Sequence, residues 1–176
     1  MFKDFDIKPF KKKKPPVDSG YTTRTEINEL KKIPLNKSFV KKNDNIEAAF
    51  KKTAEDNNIK DYDKNIAAKL IKDSAPVILE LKKYHNRPRP YELDKNLKSF
   101  KMKSMETASY PSGHSVQGIL IAKVLGDKHP KAKSAFAKTG QNISYSRRVA
   151  RAHYKSDSKM GEELGNSMYK HIKNKI

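Results

Sequence analysis

The stretch SYPSGHSVQGILIAKVL, residues 109–125, joins a polar loop to an apolar helix. Its apolar residues recur at the spacing of one helix face, namely Val116, Ile119, Leu120, Val124 and Leu125. Serine is a favoured residue at the position before a helix, so Ser112 places Gly113 and His114 in the first turn. The pattern predicts a helix over about 113–125 with polar groups at its N-terminus.

Two helices are predicted before this stretch. Asp44 and Glu47 have the spacing of a capping box, and the apolar residues that follow share one face: Ile46, Ala49, Phe50 and Ala54. The next helix runs from about 66 to 84 and contains Pro76, which either kinks it or restarts it with Ser74 as N-cap. NRPRPYELD, residues 86–94, is predicted to be a loop, because a residue before proline favours extended geometry.

Two further segments follow. Residues 130–153 begin with a proline suited to a helix start, and we expect Gly140 to break this segment. A closing amphipathic helix is predicted from apolar residues that recur every four positions: Met160, Leu164, Met168 and Ile172. That apolar face is either part of the core or a dimer surface, and we expect core.

These patterns predict an all-α protein, a compact single-domain helical bundle. No strand pattern competes with the helices, and 176 residues suit one domain. Residues 1–43 lack sustained periodicity and contain KKKKPP, so we expect an extended basic N-terminal arm there. The helical domain would then cover residues 44–176.

Composition limits the classes of function. The chain has no cysteine, which excludes disulfides, Cys-ligated zinc and a thiol nucleophile. Its net charge of +19 attracts polyanions, whether nucleic acid, an anionic lipid surface or small phosphorylated molecules. No apolar run approaches the ~20 residues of a membrane span, and the start MFKDFDIKPFKKKK lacks the apolar block of a secretory signal. We therefore expect a cytoplasmic protein without a transmembrane segment.

Three sequence blocks carry the chemistry. They comprise Lys82 with Arg89 and Pro90; Pro111, Ser112, Gly113 and His114; and Ser146 and Arg147 with His153 and Asp157. In order and spacing they resemble the three-part signature of the type 2 phosphatidic acid phosphatase superfamily, which includes class A acid phosphatases and vanadium haloperoxidases. The resemblance spans about residue 66 to the C-terminus. It implies a soluble acid phosphatase-like bundle.

The same residue types suit phosphoryl transfer on physical grounds. The transferred group spreads negative charge over three oxygens, and Lys82, Arg89 and Arg147 would supply positive charge around them. Ser112 and the Gly113 amide would sit at a helix N-terminus, which favours an anion. These five residues are the predicted phosphate-binding set, and no metal or other cofactor is expected.

Two histidines complete the candidate site. His153 and Asp157 are four apart, so they would share a face if a helix continues through them. Asp157 would then orient His153 as the nucleophile, while His114 would protonate the leaving oxygen. The resemblance implies the same roles. His85 is either a structural or surface residue or lines the pocket, and Arg87 either contributes to the pocket or faces solvent. Arg148 and Arg151 are expected on a solvated basic face.

The expected activity is hydrolysis of a phosphomonoester or diphosphate through a phosphohistidine, with vanadate as inhibitor. The resemblance leaves a vanadium-dependent haloperoxidase as an alternative, with vanadate as cofactor. The charge leaves another, a non-enzymatic nucleic-acid-binding protein on the same scaffold. The oligomeric state is not predicted.

Overall fold

The computed structural model describes residues 1–175, and every regular element in that range is helical. The helices are α1 (Lys8–Lys12), α2 (Tyr21–Lys32), α3 (Lys37–Asp44), α4 (Ile46–Asp56), α5 (Lys64–His85), α6 (Pro90–Leu93), α7 (Gly113–Lys128), α8 (Lys133–Val149) and α9 (Lys155–Ile172). Short 3-10 turns cover Lys103–Met105 and Pro130–Ala132. The predicted all-α fold is confirmed. Within residues 1–175, no helix has both the length and the apolar content that a membrane span needs.

Helix α7 is the centre of the bundle and packs most extensively against α8 and α9. Most of its predicted apolar face, including Val116 and Leu120, is fully buried, while Ile119 is partly buried. Gly140 lies inside α8, so the expected break there is wrong. A Cβ at Gly140 would lie 2.6 Å from the carbonyl oxygen of Gly118, so glycine is needed because the two backbones touch.

Helix α5 runs without interruption through Pro76, and Asp63 rather than Ser74 caps its start by accepting from the Asn65 amide at 2.9 Å. The helix ends where Asn86 adopts left-handed geometry at φ 45°. The following segment is not entirely a loop, because α6 forms one short turn. Proline is tolerated at the first position of a helix, where its missing amide hydrogen costs nothing.

The first 43 residues do not form an extended arm, since α1, α2 and most of α3 lie there. Phe2 and Phe10 join the main core, and Ile27 and Leu30 on α2 are buried. The buried face of α2 also includes Thr23 and Glu26. Polar residues on a buried face hide the apolar periodicity, which explains why this helix was not predicted.

Helix α4 begins one residue later than the predicted capping box. Asn45 is the N-cap, and its side chain accepts from the Ala48 amide at 3.0 Å. The predicted apolar face, which includes Ile46 and Phe50, is buried. Asp44 therefore does not cap α4. It is the last residue of α3, and its side chain lies at the candidate site.

The closing helix α9 buries its apolar face within the monomer. Met160 is 4% exposed, Ile172 is 1% exposed, and the two residues between them in the pattern are fully buried. All belong to the main apolar cluster. This face is core, as expected, and not a dimer surface.

Candidate active site

Separate parts of the chain meet at the N-terminal end of α7. The predicted phosphate-binding and catalytic residues all lie here: Lys82, Arg89, Ser112, Gly113, His114, Arg147, His153 and Asp157. A Cβ at Gly113 would lie 3.9 Å from Lys82 Cε, which places the end of α5 beside the first turn of α7. The Ser112 amide donates to the Asp157 carbonyl at 3.1 Å, which fixes the start of α9 against the same turn.

The end of α8 turns the chain so that His153 points into this site. Arg151 has left-handed geometry at φ 57°, and the Ala152 amide donates to the Arg147 carbonyl at 2.9 Å. These features form the helix-ending motif that usually carries glycine. Arg151 instead keeps a side chain, which donates to the carbonyls of Lys31 and Ile33. The expectation that Arg151 is simply solvated is therefore wrong.

His153 and Asp157 form the expected pair, but not on one continuous helix. His153 precedes α9, and Asp157 lies in its first turn, where it accepts from the Tyr154 amide at 3.0 Å. His153 Nδ1 lies 3.1 Å from Asp157 Oδ2. Burial alone would raise the pKa of Asp157, but its hydrogen bond with His153 and the charge of Arg87 hold that pKa at about 2.

The hydrogen bonds of His153 define its tautomer. Arg89 Nη1 lies 3.0 Å from His153 Nε2, and a guanidinium can only donate. Nε2 therefore accepts and carries the lone pair, while Nδ1 donates to Asp157. Burial and the charge of Arg89 lower the pKa of His153 well below its ordinary value, so the imidazole is neutral at neutral pH.

Arg87 and Ser109 also hold Asp157, and neither was assigned to the site from the sequence. Arg87 Nη1 donates to Asp157 Oδ1 at 2.8 Å, and Ser109 donates to the other carboxylate oxygen. Arg87 is buried, stacks on Tyr154 at 3.7 Å and pairs with Glu26 at 3.6 Å. The alternative that Arg87 faces solvent is therefore wrong, because its buried side chain holds Asp157 from behind the pair.

Lys82 and Arg89 bring positive charge to the site. Within residues 1–175, neither side chain is in contact with a carboxylate that would neutralise it. Lys82 Nζ donates to the Ala108 carbonyl at 2.5 Å. Arg89 donates to the carbonyls of Thr107, Ser104 and Ala152 at 2.9 to 3.0 Å. Backbone carbonyls fix these side chains without cancelling their charge, so the site is ready for an anion.

Burial lowers the pKa of both Lys82 and Arg89. Burial and the charge of Arg89 lower the pKa of Lys82 to about 7. Burial also lowers the pKa of Arg89 to about 10, which leaves it charged at neutral pH. Lys82 is therefore the cation whose charge changes near neutrality, and a bound anion would favour its charged form.

This shift predicts the pH dependence of anion binding. Tungstate, whose charge is constant across neutral pH, should bind most tightly below pH 7, where Lys82 is charged. Its affinity should fall up to about tenfold per pH unit above that value, with uptake of a proton on binding. Calorimetry in buffers of different ionisation enthalpy measures both effects. Lys82→Arg, with a fixed charge, should flatten the profile, and a flat profile in the wild type would contradict the assignment.

Ser112 caps α7 as predicted. Its hydroxyl oxygen accepts from the Ser115 hydroxyl at 2.9 Å and from the Ser115 amide at 3.4 Å, so the Ser112 proton remains available to a ligand. Gly161 on α9 lets this turn sit close, since a Cβ there would lie 2.6 Å from the Ser112 carbonyl. The N-terminus of α7 thus presents a hydroxyl and free amides to an anion.

His114 and Arg147 both contact Asp44, a residue that the sequence suggested only as a helix cap and not as part of the site. Arg147 Nη1 donates to Asp44 Oδ1 at 2.8 Å, and His114 Nε2 donates to the Asp44 carbonyl at 2.9 Å. His114 Nε2 also lies 3.5 Å from the Asp44 carboxylate. His114 therefore does have a carboxylate partner, supplied from α3 rather than from its own sequence block.

Asp44 opposes the effect of burial on His114. Burial lowers the pKa of His114, while hydrogen bonding to Asp44 raises it, and the net shift is downward. The hydrogen bond with His114 and the charge of Arg147 lower the pKa of Asp44 to about 2. His114 therefore gains its second proton only on the acid side of its ordinary pKa.

The remaining predicted bystanders lie outside this cluster. His85 lies 3.0 Å from the Phe10 carbonyl and packs edge-on against Tyr110, so it anchors the N-terminal segment. Arg148 is half-buried rather than fully solvated, and its guanidinium stacks on Tyr145 at 4.9 Å. Across the described residues, no group of three or more His, Cys, Asp or Glu side chains has the arrangement of a metal site.

Comparison with known proteins gives one consistent signal. No family model matches the chain. Over 88 residues, 48% of the chain, it is 35% identical to a non-specific acid phosphatase from Salmonella typhimurium and 34% identical to one from Salmonella typhi. The match spans 35% of each relative, about a third of its length. The chain is thus similar to these acid phosphatases over slightly less than half of its own length.

Proposed function

We propose that this chain is a phosphatase that hydrolyses phosphomonoesters or diphosphates through a phosphohistidine on His153. The position of His153 carries the proposal. Its Nδ1 donates to Asp157, and its Nε2 holds a lone pair. Arg89 and Lys82 lie nearby, and neither contacts a carboxylate side chain within residues 1–175. Similarity to non-specific acid phosphatases supports a substrate of this class.

In the first step, the Nε2 lone pair of His153 attacks phosphorus, and the bond from phosphorus to the leaving oxygen breaks. His114, as the imidazolium, gives a proton to that oxygen. The charges of Lys82, Arg89 and Arg147 stabilise the equatorial oxygens. Asp157 remains ionised throughout and stabilises the positive charge that develops on His153.

In the second step, His114 is neutral and takes a proton from water. The resulting hydroxide attacks phosphorus, the bond to His153 Nε2 breaks, and phosphate leaves. Both proton transfers use the same histidine, so the enzyme returns to its starting state. The cationic side chains perform the charge stabilisation that a metal provides in other phosphatases, so the scheme requires no metal.

The direct test is phosphate release from p-nitrophenyl phosphate with a chelator present. We expect activity that the chelator does not affect and that vanadate inhibits, because vanadate mimics the five-coordinate phosphorus. Absence of phosphate release would contradict the proposal. Bromide oxidation with peroxide and vanadate would then favour the haloperoxidase alternative, and salt-sensitive DNA binding would favour the nucleic-acid-binding one.

His114 as general acid predicts a dependence on the leaving group. His114→Ala should reduce kcat/KM, which reports the phosphorylation step, by about 10³-fold for an alkyl phosphate but much less for p-nitrophenyl phosphate, whose leaving group needs no proton. For the wild type, turnover of the alkyl phosphate should rise as the pH falls toward the lowered pKa of His114. Comparing kcat/KM across a series of leaving groups measures this, because kcat/KM does not include hydrolysis of the shared phosphoenzyme. An equal loss for every leaving group would count against His114 as the acid.

A further inference from the structure

A pocket of about 350 Å³ opens beside the candidate site, within the range of known small-molecule pockets. Its walls combine lysines with apolar side chains: Lys37, Lys41 and Lys101, with Val40, Phe100 and Met102. The apolar wall belongs to a small cluster that also contains Ala152, next to His153. The apolar wall therefore packs against the segment that leads into His153, the proposed nucleophile.

The pocket adjoins the side of the site where a leaving group would depart. Asp44 lines the pocket and contacts both His114 and Arg147. Met102 also joins the two, because its sulfur lies 3.1 Å from Arg147 Nη2. In the proposed function His114 protonates the leaving oxygen, so the rest of the leaving group extends from His114 toward this pocket.

The pocket is positively charged on balance. Lys37, Lys41 and Lys101 are exposed, and none forms a salt bridge with a carboxylate in residues 1–175. Asp44 is the acidic residue in the lining, and its charge is offset by Arg147 at 2.8 Å and by contact with His114. Three unpaired lysines next to an apolar wall favour a ligand that has an anionic end and an apolar body.

We propose that this pocket is a leaving-group subsite for substrates that carry a second phosphate on a small apolar framework. The inference rests on the proposed function, because it assigns one phosphate to His153 and the other to the lysines. The framework between them packs against Val40, Phe100 and Met102. The preferred substrates are thus bisphosphorylated small molecules rather than simple monoesters.

The test compares 1,4-phenylene bisphosphate with 4-hydroxyphenyl phosphate, which share a ring and differ in the second phosphate. We expect kcat/KM to favour the bisphosphate by about tenfold, mainly through KM, as the sum of three exposed charge pairs. Replacing Lys37, Lys41 and Lys101 together by glutamine should remove the preference and leave 4-hydroxyphenyl phosphate turnover unchanged.

A matched control separates the pocket from the general charge of the protein. Glutamine at Lys32, Lys42 and Lys98, exposed lysines outside the pocket lining, lowers the net charge equally. This control should keep the preference. An equal loss in both triple variants, or equal kcat/KM for the two substrates in the wild type, would overturn the subsite. Failure to hydrolyse either substrate would instead overturn the proposed function.

Discussion

Replacing His153 with alanine is expected to abolish phosphate release, with a fall in kcat of about 10⁵-fold or more. The variant lacks the Nε2 lone pair that attacks phosphorus in the proposed mechanism. Arg89, which lies 3.0 Å from Nε2, would keep its bonds to backbone carbonyls. The cation cradle should therefore survive, and tungstate should still bind to the inactive variant.

Two controls make this result specific. Arg148→Lys changes a basic side chain that stacks on Tyr145, outside the site, and should leave kcat within about twofold. His129→Ala removes another histidine, at the far end of α7, and should behave similarly. Losses of equal size in His153→Ala and Arg148→Lys would overturn the residue assignment.

Asp157→Asn is expected to cost about 10⁴-fold in kcat with p-nitrophenyl phosphate. Asparagine keeps the shape of the side chain but removes the charge that stabilises the imidazolium on His153. Its amide can also donate to Nδ1, which would favour the tautomer with the proton on Nε2 and so remove the attacking lone pair. Substrate KM should change far less than kcat.

This variant also breaks a buried ion pair with Arg87, so its stability needs a control. Losing one partner of such a pair costs about 3–5 kcal/mol. Glu26→Gln removes another carboxylate that faces Arg87, at 3.6 Å, without touching His153. Thermal unfolding should show a loss of stability in both variants, whereas only Asp157→Asn should lose turnover. A comparable loss of turnover in Glu26→Gln would mean that Asp157 acts through stability.

The helices that pack with regular apolar faces are visible in the sequence. Those that include Phe50 and Met168 follow the 3.6-residue period, because each buries one continuous apolar stripe. Helix α7, which includes Leu120, is visible instead from its run of apolar residues, because it is buried on most sides. Helix α2 buries Thr23 and Glu26 beside its apolar residues, so its period is masked. Gly140 shows a second limit of prediction from the sequence. Glycine is favoured both where a helix breaks and where two helices pack closely, and here it is the packing that requires it.

In the candidate site, too, a contact between residues close in the sequence could be predicted, whereas contacts between distant residues could not. Spacing indicated the pairing of His153 with Asp157, although the helix expected to carry both begins only at Lys155. The pair forms because Asp157 folds back onto the turn before α9, and a spacing of four permits this geometry as well. Spacing thus predicted the contact without predicting the backbone that makes it.

Asp44 and Arg87 could not be assigned because their roles depend on tertiary contacts. Asp44 is 103 residues from Arg147 in the chain. Its spacing from Glu47 already had a local explanation as a capping box, so nothing in the sequence pointed to a contact with Arg147. Arg87 is 70 residues from Asp157 and lies in a proline-rich stretch that predicts only a loop. The resemblance to known phosphatases covered the residues proposed to bind the phosphate, and these two lie behind that set.

The most direct test of the central proposal is to trap the phosphoryl group on the protein. His114→Ala with p-nitrophenyl phosphate should form the phosphoenzyme readily and hydrolyse it slowly, because the base for the attacking water is missing. Quenching in alkali, which preserves phosphohistidine, followed by peptide mass spectrometry, should place one phosphoryl group on His153. Turnover with no phosphoryl group on the protein, or with the group on another residue, would contradict the mechanism.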